Sequence, residues 1–506
     1  MCIDPIMRFG LTLLLAAVAN VDHCRGEATE DAESASAAKL KYGFRFDPMK
    51  WVEQSGTVHG ALVRRHVFRK PMPGDEAILK KRITEILDGQ KKDGGLANGI
   101  KGTAERLMEL VELGADTGSP EVKRVANLLL KERTREHADN FKHISVRGTR
   151  ALVMMGITDL PEVKEAVKTM VDREKVWTGP WRLCPWGTQL YVDSLWEGRE
   201  VYDTRPIVKR TLGWIADGLN EAGCMSYKDP WSFVSAAGRI DLPEARRVVE
   251  RQVPMILRAQ KSDGGWGGHS FAAFRALVRH GFLEPLRKLP PLAPDWKIVR
   301  SIPAPCDEPA HLVFGDGHLW ALDRKTGVVF AVSTSDGSVK KRLKLSFKKA
   351  KSVGWWDGGP GVVQSKPKRL LKLDPETGDI VREVSLAKLE WPQGFAQVGN
   401  ELWVYDAWFG TIMRIDPKRP EKRRHHGHTG GGSRITAMPD GVCCIQDFAP
   451  LIVQTHTKGK LLDWAETPFD GCAGLAWDGK KLWALDAKAK RICIIEKNNF
   501  TGRRFP

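Results

Sequence analysis

No apolar stretch in this chain of 506 residues is long enough to cross a bilayer as a helix, which takes about 20 apolar residues. Cysteine is scarce: the chain has nine, and none shows the C-x-x-C spacing of a metal or redox site. So few cysteines exclude a disulfide-stabilised scaffold. Cys443 and Cys444 would point to opposite faces of a strand, which predicts buried small residues rather than a site.

The first residues have the pattern of a secretory signal peptide. Arg8 supplies the positive charge, Phe9 to Val18 the apolar stretch, and Ala17 to Ala19 a small-residue cleavage site. We therefore predict a signal peptide over residues 1–26 and a secreted or periplasmic protein. Because Ala, Ser and Glu dominate the next stretch, we predict a disordered spacer over residues 27–45.

Positive charge exceeds negative charge by 17, and much of the excess lies in two runs, Lys340 to Lys351 and Lys418 to Arg424. Taken singly, each run is typical of a solvated loop. For an exported protein, the total favours an acidic polymer, a glycan or a small extracellular ligand as partner over nucleic acid. The sequence leaves the oligomeric state open.

A repeat of about 42 residues runs from Asp75 to Phe282, where helical patterns alternate with short Gly/Pro loops. The segment Gln90 to Leu96 (Q-K-K-D-G-G-L) recurs as Gln260 to Trp266 (Q-K-S-D-G-G-W). Second helices are predicted to begin at prolines. First helices open near a hydroxyl that we expect to accept from free helix amides. These residues are Pro120, Pro161 and Pro243, and Thr103, Thr149, Thr188, Ser232 and Ser270.

Helix pairs at this period form either an open HEAT-like solenoid or a closed ring of inner and outer helices. The Gln260 to Trp266 segment resembles the repeats of squalene cyclases and protein prenyltransferase β-subunits, which form α/α toroids. HEAT loops have no need of a repeated Asp-Gly-Gly turn. We therefore predict an α/α toroid of about five helical hairpins over residues 46–288.

The resemblance implies a cavity mouth surrounded by the starts of the inner helices. The D-x-D-D acid of the cyclases is missing. Of the three prenyltransferase zinc ligands, Asp229 and His269 match but Trp231 replaces the cysteine, so we predict no metal. Aromatic faces beside cations suit a sugar or an anionic chain, although the tryptophans are equally typical of packing within the repeat. The candidates are Lys101, Arg147, Trp186, Asp229, Trp231, Trp266 and His269.

After Pro290 the pattern changes to short alternating strands. Leu-Trp strands behind Asp/Gly turns recur at Trp320, Trp403 and Trp483, with Val363 and Cys443 midway, which gives a period of about 41 residues. Four-stranded blades of this length are typical of a β-propeller. We predict five blades, with six as the alternative, over residues 289–506, and expect the strand at Trp296 to complete the last blade.

An aspartate follows the second strand of most blades, at Asp323, Asp406, Asp447 and Asp486, with Ser365 in the place of blade two. Turn formation explains such aspartates. The alternative is an acidic and aromatic ring at one mouth of the propeller, able to hold a cation, an amine or a sugar. That ring would contain Glu308, Trp356, Trp391, Asp406, Trp408, Arg434 and Asp447.

This strand and turn pattern resembles extracellular propellers of the glutaminyl cyclase and quinoprotein-like type, most closely from Glu390 to Pro417. The resemblance to the cyclases implies a buried acid in an active-site loop, where this chain has Pro392, Gln393 and Gly394. No ring of quinone-binding residues is present, so we predict no cofactor.

Two functions follow from these patterns, and a purely structural envelope protein is a third alternative. One is an exported recognition protein for an extracellular ligand, anionic or carbohydrate. The alternative is a cyclotransferase, hydrolase or lyase acting on amide or carbohydrate substrates. The sequence does not decide whether the protein is an enzyme, because no catalytic pair can be located without the fold.

Overall fold

The computed structural model describes residues 41–131, 144–176, 185–219, 223, 230–407, 411–426, 432, 434–446, 451–458, 461–469 and 471–498. There the chain is all-α and then all-β, as predicted, with fourteen α-helices before the propeller. No helix in these ranges has both the length and the apolar composition that crossing a membrane requires. The helices are α1 (Pro48–Gln54), α2 (Val58–Leu62, continued by a π-helix, Val63–Phe68), α3 (Asp75–Asp88), α4 (Gly99–Leu113), α5 (Pro120–Lys131), α6 (Val146–Met154), α7 (Pro161–Val176), α8 (Pro185–Glu197), α9 (Arg199–Tyr202), α10 (Arg205–Gly218), α11 (Pro230–Ala237), α12 (Pro243–Arg258), α13 (Ser270–Arg279) and α14 (Leu283–Arg287).

Both copies of the Q-x-x-D-G-G segment fold into the same turn, which confirms the repeat. Asp93 accepts the amide of Gly95 at 2.8 Å, and Asp263 accepts the amide of Gly265 at 2.9 Å. Gly264 has φ +88°, and a Cβ there would lie 2.5 Å from the carbonyl oxygen of Asp47, the residue before α1. Only glycine fits this position, because the backbone conformation and the close approach both exclude a side chain.

The first helices of successive pairs are neighbours. Helix α4 packs against α6, α6 against α8, α8 against α11, and α11 against α13, while α13 packs against α2 and its π-helical continuation. In that continuation, Nε2 of His66 lies 3.0 Å from the carbonyl oxygen of Glu112 in α4. The second helices α5 and α7 each pack against the first helices on either side of them. Helices α5, α7 and α12 begin at the predicted prolines.

The conserved position of the hydroxyls has a different cause from the one predicted. Thr103 donates to the carbonyl oxygen of Gly99, and Thr149 to that of Ser145, both at 3.0 Å. It is Ser145 that caps α6, by accepting the amide of Gly148 at 3.0 Å. The first helices begin up to four residues earlier than the sequence suggested, so these buried hydroxyls lie inside the first turn rather than before it.

The β half is a propeller of five four-stranded antiparallel sheets, as predicted. The first strand of each blade packs against the first strands of its neighbours, and blade five returns to blade one. The blades are β2 (Pro309–Gly315), β3 (His318–Asp323), β4 (Val328–Ser333), β5 (Val339–Lys344); β6 (Ala350–Trp356), β7 (Gly359–Ser365), β8 (Lys368–Leu373), β9 (Ile380–Ser385); β10 (Pro392–Val398), β11 (Glu401–Asp406), β12 (Thr411–Asp416), β13 (Arg419–His426); β14 (Arg434–Met438), β15 (Gly441–Ile445), β16 (Leu451–His456), β17 (Leu461–Glu466); and β18 (Cys472–Trp477), β19 (Leu482–Asp486), β20 (Arg491–Lys497) with β1 (Trp296–Pro303).

Strand β1 supplies the outer strand of blade five, pairing Trp296 with Lys497, so the predicted closure of the ring is confirmed. The cysteine prediction also holds. Cys443 and Cys444 are fully buried, and they belong to different hydrophobic clusters on the two faces of their sheet. Burial raises the pKa of the Cys443 thiol far above its usual range, which makes this cysteine a poor nucleophile.

The helical domain is joined to the outer edges of blades four and five by a buried ionic network. The carboxylate of Asp295 accepts the amide of Glu466 at 2.8 Å, and that of Glu466 accepts the amide of Asp295 at 3.0 Å. Arg258 of α12 reaches Asp295 at 2.8 Å, and Arg45 reaches Glu466 at 2.7 Å. Each carboxylate thus ties a helical-domain arginine to propeller backbone.

Residues 41–45, at the end of the predicted disordered spacer, are part of this junction. Gly43 forms a parallel bridge with Pro291, and Phe44 is buried against Trp266. Residues 1–40, which include the predicted signal peptide, lie outside the described part of the chain.

Candidate functional site

The aromatic residues predicted for the toroid mouth have two different roles. Trp231 of α11 and His269 before α13 stack with ring centroids 4.8 Å apart and planes 1° apart, and only the histidine is exposed. Trp266 instead lies in the core, where its Nε1 donates to the carbonyl oxygen of Ile256 at 2.7 Å. The first pair presents an aromatic surface to solvent, whereas Trp266 packs the repeat.

The predicted cations near the helix starts also differ. Lys101 is exposed on α4, while Arg147 of α6 is buried and lies with its Nε 3.0 Å from Glu105, one helical turn beyond Lys101. Of Trp186 only the backbone, in α8, is described, and Asp229 lies outside the described residues.

Those propeller candidates that the structure describes have separate surroundings. Glu308 forms an ion pair with Arg324, in which both side chains are exposed. Trp356 is buried, with the Arg382 guanidinium 5.3 Å from its ring, whereas Trp391 is 49% exposed. Arg434 is partly buried at the start of β14. Trp408 and Asp447 lie outside the described residues.

The blade aspartates hold the loops that lead into the blades. The carboxylate of Asp323 accepts the amides of Asp307 and Glu308 at 2.9 and 3.2 Å, and that of Asp406 accepts the amides of Glu390 and Trp391 at 2.8 and 2.9 Å. Burial alone would raise the pKa of Asp323, but these amide N–H groups outweigh it and lower the pKa. This geometry favours the turn explanation over a ligand ring.

The strand register shows that the residues equivalent to Asp406 in blades two and four differ from those predicted. Gln364 pairs with the start of β6 as Asp406 pairs with the start of β10, and Gln446 follows β15 at the matching place. Gln364 and Gln446 therefore occupy the positions that the sequence assigned to Ser365 and Asp447. The Gln364 amide donates to the carbonyl oxygen of Lys348 at 2.8 Å, so a glutamine holds its loop as the aspartates do.

A cluster of six charged side chains that the sequence analysis missed lies between the first helices. Asp193 of α8 pairs with Arg150 of α6 at 2.9 Å. Arg239, after α11, pairs with Glu112 of α4 and lies 3.5 Å from Glu197 of α8. Arg275 of α13 lies 3.6 Å from Glu112. We call these residues the charged cluster: Glu112, Arg150, Asp193, Glu197, Arg239 and Arg275.

The side chains of the charged cluster differ in how deeply they are buried. The side chain of Asp193 is fully enclosed and that of Arg150 is 7% exposed, whereas those of Arg239 and Glu197 keep 15% and 25% of their surface. Among the described residues, Oδ1 of Asp193 and the Nε atoms of Arg150, Arg239 and Arg275 have no hydrogen-bond partner. Such unused donors and acceptors are rare in a protein interior unless something else satisfies them.

Burial controls the protonation of the cluster. It raises the pKa of Asp193, against the opposing charges of Arg150 and Arg275. It also raises the pKa of Glu197, again against Arg150, with a further rise from Asp193. The pKa of Arg275 falls to about 10 because of burial, so this guanidinium stays charged at neutral pH. Two carboxyls with raised pKa beside buried arginines make the cluster a candidate functional site.

The sequence did contain a signal for this cluster. Asp193 interrupts the apolar run Leu190 to Trp196, and Arg275 interrupts Phe271 to Leu277. A charge inside an apolar helix must be buried with a partner, and several such charges on helices of one repeat indicate a shared polar interior. In the described ranges, no group of three or more His, Cys, Asp or Glu side chains is placed to hold a metal ion.

Comparison with known proteins gives only distant structural similarities. No family model and no curated protein matches the chain. Among solved structures, glutaminyl cyclase from Myxococcus xanthus is similar at 11% identity over 41% of this chain and 99% of its own, with a TM-score of 0.34. BamB from Moraxella catarrhalis is similar at 10% identity over 42% of this chain and 99% of its own, with a TM-score of 0.26.

Virginiamycin B lyase from Staphylococcus aureus is similar at 16% identity, with a TM-score of 0.26. This match covers 37% of the present chain and 65% of the lyase. At such identities and TM-scores, none of these similarities bears on the substrate or reaction of the present chain. The matched proteins differ in function among themselves, so the function has to be argued from the residues.

Proposed function

We propose that this protein is an exported recognition protein whose helical domain binds a carbohydrate at the charged cluster. One observation carries the proposal: the enclosed Oδ1 of Asp193 and Nε of Arg150 have no hydrogen-bond partner among the described residues. Convergent polar groups of perturbed pKa in a concave site are the default signature of ligand binding.

The composition of the cluster favours a sugar over a simple ion. Three arginines stand among three carboxyl groups, so the site offers both donors and acceptors and carries no large net charge. Sugar hydroxyls donate and accept at once, and they fit such a mixture. The exposed ring of His269, backed by Trp231, supports this choice because sugar faces pack on aromatic surfaces.

The proposal includes a closed ring of helices. The neighbour relations from α4 through α6, α8, α11 and α13 to α2 support an α/α toroid, since this series leads back to α4 through His66. In such a ring the first helices are the inner ones, and the charged cluster lies along the axis. With α2 and α3 the ring has six helix pairs, one more than the sequence suggested.

Export is also part of the proposal, and Arg8 with the apolar stretch up to Val18 supports it. Expression in a bacterium that secretes through this type of signal should yield a periplasmic or medium fraction whose first residue follows the cleavage site. Recovery of the intact chain from the cytoplasm alone would contradict export.

The binding proposal can be tested on an array of neutral and acidic oligosaccharides. We expect the full chain to be retained by a defined set of glycans, and the double variant R150M/D193L to lose that set while keeping its helical circular dichroism. Replacing a buried ion pair by apolar residues of similar volume usually preserves folding. The control is His318→Ala, a partly exposed residue at the start of β3 in the propeller. Equal retention of all three proteins would contradict the proposal.

A second candidate function, a hydrolase or lyase acting on carbohydrate, is favoured by Asp193 and Glu197. These carboxyls lie one turn apart on α8, and both have raised pKa. A carboxyl whose pKa is raised by burial is the usual type of general acid in such enzymes. The test is release of new sugar ends from the retained glycans by wild type and Glu197→Gln. Turnover abolished in the variant supports catalysis, and binding without turnover in either protein excludes it.

A further inference from the structure

A row of cations follows the outer edge of blade one. Lys340, Arg342 and Lys344 alternate along the outermost strand β5, and Lys348 and Lys349 follow in the loop to blade two. All five side chains are exposed, and no acidic residue interrupts residues 339–351. Alternate residues of a strand share a face, so Arg342 and Lys344 project to the same side, whereas Lys340 lies at a register shift of the strand pair β4 and β5. We call these five residues the basic strip.

The cations of the strip are only weakly offset by the protein: Asp336 interacts electrostatically with Lys340, and the Arg342 guanidinium lies 5.7 Å from the Phe330 ring centroid. None of the five forms a salt bridge with a carboxylate of the described residues, whereas the intervening Lys341 pairs with Glu376 of blade two. Like charges so close to one another repel, and a folded protein retains such a row at a cost unless a counter-charge relieves it. The row is therefore a positively charged surface that attracts negatively charged partners.

The loop that ends the strip is held rigidly. The amide of Leu345 donates to Gly327 at 2.9 Å, and Leu345 itself is buried. The carbonyl oxygen of Lys348 accepts from Gln364 at 2.8 Å, and Lys349 has a φ of +66°, which is rare for a residue with a side chain. Strained residues held by their surroundings gather at functional sites, and this one fixes where two lysines project.

The second basic run of the propeller differs from the basic strip because some of its cations pair with carboxylates. In β13 and the turn before it, Arg419 pairs with Asp416 at 3.0 Å and Arg424 pairs with Glu401 at 3.4 Å. Glu401 also holds Arg414 of the neighbouring strand. That run is partly neutralised within its own blade, so it serves as the natural control for the strip.

The chemistry around the strip favours one class of partner. Its one aromatic residue, Phe347, is half-buried in the cluster between blades one and two, and Trp355 is tilted against Trp320 below the surface. Single-stranded nucleic acid is held by stacking of bases on exposed aromatics, which this strip does not offer. We infer that the basic strip binds an acidic polysaccharide, at a site separate from the charged cluster and away from the domain junction at blades four and five.

The test uses the full chain, immobilised heparin and soluble polygalacturonate, over a series of salt concentrations. Wild type should bind both polymers with a strong salt dependence. The triple variant K340Q/K344Q/K348Q should lose at least tenfold in affinity, and the slope of log affinity against log salt should fall by roughly 3, one for each contact removed. The matched control K418Q/K422Q/R424Q removes the same charge from the other run and should change affinity less than about threefold.

Three results would overturn the inference. The first is an equal loss of affinity in both triple variants, which would mean that only net charge matters. The second is no retention of the wild type at low salt, and the third is strip-dependent binding to duplex DNA or to phosphatidylglycerol vesicles that exceeds binding to the polysaccharides. If the triple variant fails to fold, the single reversal Lys344→Glu repeats the test, with Lys422→Glu as its control.

Discussion

The two domains treat buried charge in opposite ways. In the propeller, the carboxylates of Asp323 and Asp406 are nearly inaccessible, and each accepts at least two backbone amides of the loop beside it. In the helical domain, Asp193 is equally enclosed, yet one of its oxygens and the Nε of its partner Arg150 remain without a hydrogen bond from the described residues.

We interpret this difference as one between charge that stabilises the fold and charge that serves the proposed binding function. A carboxylate saturated by backbone amides stabilises the loop it holds and has nothing left to offer a ligand. A buried ion pair with unused polar atoms contributes little or nothing to stability beyond what apolar residues would give. Such a pair is retained for another reason, which we take to be ligand binding.

The largest effect is expected from removing a saturated carboxylate. Asp406→Ala should lower the free energy of unfolding of the propeller by about 3 kcal/mol, because two buried amides lose an ionised acceptor. Hydrogen exchange at the amides of Glu390 and Trp391 should accelerate before that of the helical domain changes. Unchanged exchange at these two amides would remove the contrast between the domains.

A smaller effect is expected from replacing the buried ion pair of the charged cluster. The variant R150M/D193L should change the free energy of unfolding of the helical domain by less than about 1 kcal/mol, in either direction. Urea denaturation followed by circular dichroism measures it, with R150M alone as the control. The single variant should be clearly less stable, because it leaves Asp193 buried without its partner. A loss of several kcal/mol in the double variant would assign the pair to structure.

The pH dependence of stability should also differ between the domains. Glu197 has a pKa raised above 4.5 in the folded protein, mainly by burial, so its contribution is present at low pH and is lost as pH rises through the folded pKa. Asp323 has a lowered pKa, so its contribution is present above 3.8 and is lost as pH falls through the folded pKa.

Lowering the pH from 7 to 5 should therefore stabilise the wild-type helical domain relative to Glu197→Gln, which lacks the titrating group. The melting temperatures of both proteins at the two pH values measure this difference, and Asp323→Asn, which keeps Glu197, should show the same gain as the wild type. Parallel pH profiles for wild type and Glu197→Gln would contradict the raised pKa.

The smallest effect is expected at the exposed mouth of the propeller. Glu308→Gln breaks the ion pair with Arg324, in which both side chains are about half exposed, and should change stability by less than about 0.5 kcal/mol. Glycan retention should also be unaffected. A loss of retention in this variant would move the carbohydrate site from the charged cluster to the propeller.

Local patterns predicted the fold well because they record backbone geometry. The Asp-Gly-Gly turns need a left-handed glycine, and the Leu-Trp strands recur in blades one, three and five, so both repeats are visible in the sequence. The exact register of the blade strands was harder to predict. Gln364 replaces an aspartate and performs the same task of holding a loop, and no residue type marks that equivalence.

The candidate site was harder still to predict, because the charged cluster is assembled from five elements far apart in the chain. Glu112 and Arg239 meet across 127 positions, a contact that no local pattern encodes. Trp266, in contrast, stood out in the sequence for its repeat and proved to be a packing residue. Prominent motifs in a repeat protein report the repeat, whereas the charges that break its apolar pattern report the site.

The most direct test of this account is a crystal structure of the full chain soaked with a glycan that the array retains. The account predicts sugar density in contact with Oδ1 of Asp193 and Nε of Arg150. Sugar density confined to the propeller, or a charged cluster filled by side-chain contacts alone, would contradict it.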